Sequence, residues 1–139
     1  MKNIYEVFEE YEKASTKEER VAVLRRNENF ALKSVLKGTY DPNVKFTIDR
    51  VPLYKPSDAP IGLGYTNIHT ELDRVYLFEV NNPRTSTNLS DKRKEQILIQ
   101  MLEAMEKREA EVFMNMLLKK QKVKELNAEV VKEAFPNLF

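Results

Sequence analysis

Four lysines, Lys119, Lys120, Lys122 and Lys124, fall within six residues with no acid among them. They follow a long apolar helical stripe and precede Asn127, a residue type suited to opening a new helix. Ammonium groups placed there complement the C-terminal end of a helix dipole, a role that asks for no ligand. Set beside the N–H donors of a fresh helix start, the same groups can track the phosphates of a nucleic acid. Arg25, Arg26 and Lys33, with Lys37, offer a second basic face. No aromatic residue is interleaved with the lysine cluster, so the pattern suits phosphate contact and not base stacking.

Other chemistry is thinly represented. His69, the one histidine, stands beside Thr70 and Glu71 with Asp73 one helical turn away. A single imidazole with a carboxylate near a helix start reads as surface hydrogen bonding. A lone histidine and no cysteine exclude a two-histidine zinc helix, thiolate metal sites, disulfides and cysteine nucleophiles. Three glycines, Gly38, Gly62 and Gly64, cannot build a phosphate-cradling Walker loop or a complete dinucleotide fingerprint. Met101, Met105, Met114 and Met116 lie at apolar helical positions and read as core. The carboxylates fall on polar helix faces beside lysines, and none converges with a nucleophile or base. A non-enzymatic chain with no cofactor, metal or catalytic residue is therefore expected.

The elements that must position the lysines are mostly helices. Asn3 with Glu6 has capping-box spacing ahead of Ile4, Val7, Phe8 and Tyr11, and Thr16 with Glu19 repeats it ahead of Val21 and Leu24. Phe30, Ala31, Leu32, Val35 and Leu36 give a third apolar face, with Gly38 placed where a left-handed C-terminal cap is wanted. Val44, Phe46 and Ile48 alternate with polar residues as one short extended piece, for which no partner strand is evident. Residues 50–66, with Pro52, Pro56, Pro60 and two glycines, form a long irregular connection whose Val51, Leu53, Tyr54 and Ile61 suggest draping over the core. A helix over 69–79 carries Leu72, Val75, Tyr76 and Leu77. Ser90 caps a stripe running from Ile97 to Leu117, either one long helix or two bent near residues 106–109, and Asn127 caps the last helix before Pro136. The expected fold is all-α: one helical domain over 1–139 with a long irregular central connection and at most one short extended segment.

Composition sets the setting. With 23 basic and 22 acidic residues the net charge is +1, so any electrostatic function must come from local clustering. No apolar run approaches the roughly 20 residues needed to cross a bilayer, and the amino terminus carries carboxylates where a signal peptide would be apolar. Absence of cysteine fits a reducing compartment, and a cytoplasmic location is expected.

The two ends of the chain together carry a resemblance. The run from Ser15 to Leu24, followed by Asn27, Leu32, Val35 and the pair Thr39 and Tyr40, resembles the opening of the DNA-binding domain of phage-type ATP-dependent DNA ligases. The stretch 109–118, a basic turn, and then Val130 to Leu138 resemble that domain's closing helices in order and spacing. The whole chain is similar to a family of small tailed-phage proteins in which such a domain stands alone. The resemblance implies an all-helical domain that grips duplex DNA across the minor groove through backbone contacts, without sequence choice. It does not imply ligation, because the Lys-x-Asp-Gly nucleotidylation motif is absent. The expected function is that of a DNA-binding accessory protein of a phage, with duplex DNA as partner and Lys119, Lys120, Lys122, Lys124, Arg25, Arg26 and Lys33 as contacts. The alternative is an adaptor that keeps the fold and binds a replication, transcription or packaging protein through residues 50–66.

Overall fold

Local capping chemistry places most helix starts. In the computed structural model, which describes residues 2–60, 64–85 and 87–139, α1 (Ile4–Lys13) opens with the Glu6 carboxylate accepting the Asn3 N–H at 3.1 Å. The side chain of Thr16 accepts the Glu19 N–H to start α2 (Lys17–Arg26), and that of Asn29 accepts the Leu32 N–H to start α3 (Phe30–Tyr40). These bonds satisfy donors that a helix start otherwise leaves open. Asn67 does the same for the short α4 (Ile68–Leu72), Ser90 for α5 (Asp91–Ala104) and Asn127 for α7 (Ala128–Ala134). The fold is all-α, and no helix among the described residues is long and apolar enough to cross a membrane.

The apolar stripe after Ser90 divides into two helices. Met105 leaves helical geometry at ψ 156° and is fully buried. Glu106 follows, and its carboxylate accepts the N–H groups of Arg108 and Glu109 to open α6 (Lys107–Leu117). A residue whose side chain can cap, next to one that must enter the core, makes the break. This α6 is the central helix, packed against α1, α3, α4 and α5, while α7 lies on α2 and α3. Burial of Ala110, Phe113, Met114, Met116 and Leu117 from α6 joins Tyr11, Leu24, Leu32, Leu36, Leu98 and Leu102 in one core. Met101, Met105, Met114 and Met116 all belong to it, as the spacing predicts.

Three local expectations are corrected. The helix expected over 69–79 is interrupted: α4 stops at Leu72, and a single 3₁₀ turn covers Val75–Phe78. Phe78 there is fully buried, edge-on to Phe113 at 6.5 Å, and a continuous helix would not deliver it. Glu79 then turns extended and pairs with Phe46 as an isolated antiparallel bridge, so the segment around Val44 to Ile48 does find a partner. The bonds are Thr47 N–H to Phe78 C=O at 2.7 Å and Val80 N–H to Lys45 C=O at 2.8 Å. In the connection 50–66, Pro52 is buried and Tyr54 half-buried, but Val51 and Leu53 face solvent; Ile61 lies outside the described residues.

Gly38 is a further correction. It does not cap α3 but sits inside it, where a Cβ would lie 2.7 Å from Met116 Sδ and 2.8 Å from its Cγ. The glycine is required by close approach of α3 to α6. Gly38→Ala, which would stabilise an isolated helix by up to about 1 kcal/mol, is expected to destabilise this protein by roughly 1–3 kcal/mol through overpacking against a buried methionine. Urea denaturation of the two proteins checks the sign, and a more stable variant would overturn the close-approach reading.

Candidate nucleic-acid interface

The lysine cluster does not lie on a helix. After α6 ends, Lys119 adopts φ 65°, a left-handed conformation that favours glycine. Its N–H donates to Met116 C=O and that of Lys120 to Asn115 C=O, both at 3.0 Å. This double closure is the Schellman pattern, with lysine where glycine is usual. The strain has a compensation. Lys119 Nζ reaches back to donate to the carbonyls of Gly38 (2.6 Å), Val44 (2.7 Å) and Asp41 (2.8 Å), and lies 5.6 Å from the Phe46 ring centre. The ammonium closes the C-terminal end of α3 and holds the chain that leaves it. Burial pulls the pKa of Lys119 below the usual lysine range, against which the Asp41 carboxylate favours the charged form. The hydrogen bonds of the Lys119 ammonium are thus made inside the fold, to main-chain carbonyls.

From Lys120 the chain runs extended, and alternation separates its side chains. Gln121 is buried, donating to Val112 C=O at 3.0 Å and Thr39 Oγ1 at 3.3 Å, and Val123 is half-buried. Lys120, Lys122 and Lys124 take the other side, all exposed, with no ion pair among the described residues. A turn closes with Leu126 N–H on Val123 C=O at 3.2 Å, its third residue Glu125 at φ 66°. Both neighbouring helices grip this turn. Tyr11 Oη donates to Glu125 C=O at 2.8 Å, Glu12 accepts the Lys124 N–H at 3.0 Å, and Tyr40 Oη lies 3.5 Å from Leu126 C=O. Burial pushes the Tyr40 hydroxyl up to about 12, so it remains a donor at neutral pH. The Asn127 side chain accepts the Val130 N–H at 3.0 Å, so that donor is used within the protein.

The second basic face is dispersed. Arg25 donates through Nε to Ala134 C=O (3.2 Å) and through Nη2 to Glu133 C=O (2.8 Å), closing the end of α7. That is a structural use of the guanidinium on an otherwise exposed side chain. Arg26 pairs with Glu10 at 3.0 Å, and Lys33 lies 3.9 Å from Glu28 and 5.8 Å from the centre of the Phe135 ring. His69 is exposed on α4, and no group of three or more metal-ligating side chains is arranged to hold an ion among the described residues. Sequence reasoning passed over the internal duties of Lys119 and Arg25 because both acceptor sets are backbone carbonyls far along the chain.

Two predictions follow from these contacts. Lys119→Met removes the ammonium donor from the Gly38 and Val44 carbonyls, while Asp41 C=O keeps the Val44 N–H, so a loss of about 2–4 kcal/mol is expected, with Lys120→Met near neutral. Thermal unfolding should place the first variant roughly 10 °C below the second. Glu10 supplies the other. Hydrogen bonds from Lys2, Arg26 and Asn27 hold its carboxyl at about 2, below the ordinary 4.5. Because its folded value is depressed, its contribution is complete above pH 4.5 and is lost as pH falls through about 2. Denaturant titrations across that window should show a flatter acid limb for Glu10→Gln.

No curated protein matches the chain. A family of unknown function, DUF6433, matches residues 7–127, from within α1 through the exposed lysines to the cap of α7. That match spans most of the sequence, and the chain belongs to the DUF6433 family.

Proposed function

We propose that the protein is a non-catalytic accessory factor of a tailed phage that binds duplex DNA through its phosphate backbone without sequence specificity. One observation carries the reading: Lys120, Lys122 and Lys124 are exposed on the turn that follows α6 and have no ion pair among the described residues. Three neighbouring ammonium groups suit successive phosphates, and the buried Gln121 between them offers no base-reading group. The resemblance to ligase DNA-binding domains supports duplex DNA as the partner, although this turn has Lys124, Glu125 and Leu126 where those domains have a glycine-containing turn. Lys119 and Arg25 are removed from the contact set. Arg26 and Lys33 remain as peripheral cations, each with a carboxylate nearby.

A second reading, an adaptor for a replication, transcription or packaging protein, is favoured by one observation in the connection 50–66. Leu53 is 96% and Tyr65 97% exposed there. Large apolar side chains so fully presented are candidates for burial against a partner.

Duplex binding as a function of salt separates the two. Neutralising about three phosphates gives a slope of log affinity against log salt near −2.7, or roughly a 40-fold loss between about 50 and 200 mM. Lys120→Glu, Lys122→Glu and Lys124→Glu together should abolish binding and leave the circular dichroism spectrum unchanged, because these lysines hold nothing within the fold. Glu125→Gln, which removes the one acid from this turn, should tighten binding several-fold. No duplex affinity at low salt, or undiminished affinity of the triple variant, would remove the DNA reading and leave the adaptor.

A further inference from the structure

On the side of α3 away from the lysine turn, an apolar groove runs between that helix and the end of the chain. Phe30, the first residue of α3, is 74% exposed while its neighbours Ala31 and Leu32 are buried. Two adjoining depressions of about 410 and 340 Å³ meet here, sharing Glu28, Lys33, Lys37 and Leu138. Phe30 borders the first and the largely buried Phe135 the second.

The charged residues that line this groove are Lys33, Lys37 and Glu28. Lys33 lies 5.8 Å from the centre of the Phe135 ring and 3.9 Å from the Glu28 carboxylate. Lys37 is exposed and has no ion pair among the described residues. We infer that this groove docks an acidic peptide segment of a partner protein, one that lays leucine or phenylalanine side chains against Phe30 and Leu138 and sets carboxylates on Lys33 and Lys37.

Charge complementarity selects an acidic occupant, and the apolar floor selects a peptide over a nucleic acid. A phosphate backbone set on these lysines would leave Phe30 uncovered or bring it against charged oxygens. An amphipathic acidic segment removes the same surface from water while its carboxylates meet the ammonium groups of Lys33 and Lys37. The inference does not rest on DNA binding, because Lys120, Lys122 and Lys124 do not line this groove.

The test uses the full chain and a fluorescein-labelled peptide of about 12 residues, with leucine and phenylalanine at i, i+3 and i+4 among aspartates and glutamates. One control replaces its apolar residues with serine, and another replaces its acids with lysine. Fluorescence polarisation at low salt should give saturable binding with a Kd of about 10–100 µM for the acidic apolar peptide alone. Phe30→Ser should weaken it about tenfold, as should Lys33→Glu combined with Lys37→Glu. Lys37→Glu alone, at an exposed position with no ion partner, keeps the test valid if the double variant fails to fold, and should weaken binding several-fold. The triple lysine variant of the turn should bind the peptide as the unaltered chain does.

Absence of saturable binding, equal binding of either control peptide, or indifference to Phe30→Ser would overturn the inference. So would concentration-dependent self-association that Phe30→Ser abolishes, which would make a second copy of this chain the occupant. Displacement of the peptide by duplex DNA would assign the groove to nucleic acid.

Discussion

The ammonium of Lys119 is the contact on which the surrounding architecture turns. It joins the end of the central helix to the end of α3 and to the extended strip that follows, through three carbonyls within 2.8 Å. A charged donor satisfying several main-chain acceptors in a half-buried place is worth more than its surface counterpart, and its loss leaves polar groups unpaired. The contact needs α3 and α6 to lie close, which Gly38 permits by leaving room for Met116. It also needs the chain to reverse at once after α6, which the left-handed backbone of Lys119 achieves. Glycine, methionine and lysine therefore form one device, with each explaining an otherwise unfavourable feature of another.

That device sets the direction in which the next residues leave the core. With Gln121 fixed inward by Val112 and Thr39, strict alternation turns Lys120, Lys122 and Lys124 outward. Tyr11, Glu12 and Tyr40 then hold the far end of the strip. Presentation of the three lysines is thus a consequence of backbone anchoring from α1 and α3. A rigid strip loses little conformational freedom on meeting a ligand, which favours binding by a small number of charges.

Features decided by near neighbours in sequence were legible, and features decided across the fold were not. Thr16, Ser90 and Asn127 were readable as caps because the donor each satisfies lies three residues on. The apolar stripes of α1, α3 and α6 were readable from period, and so was the all-α fold. Gly38 read as a cap because nothing local reveals Met116 against its α-carbon. Phe78 went unnoticed because its burial against Phe113 requires a helix to break, a tertiary demand overriding local preference. Within the candidate site, exposure of Lys120, Lys122 and Lys124 agrees with their polar spacing. Lys119 and Arg25 look the same as those residues in sequence and differ only in reaching carbonyls some 80 and 110 residues distant.

A net charge of +1 describes neither basic surface, because a partner meets only the charges the fold leaves unpaired. Ion pairs such as Lys17 with Glu133, Arg26 with Glu10 and Arg108 with Glu106 cancel locally. Two of the basic groups on the surface have different surroundings. Along 120–124 Gln121 is buried and Val123 half-buried between the lysines, so a ligand meets ammonium groups with no apolar floor beside them. Beside α3 the lysines flank Phe30 and Leu138, so a ligand meeting the charges must also cover an apolar floor. Phosphates satisfy the first arrangement and leave the second unsatisfied, because removing hydrocarbon from water calls for hydrocarbon on the ligand. Equal charge thus specifies different chemistry at the two surfaces, and the residues between the lysines make the distinction.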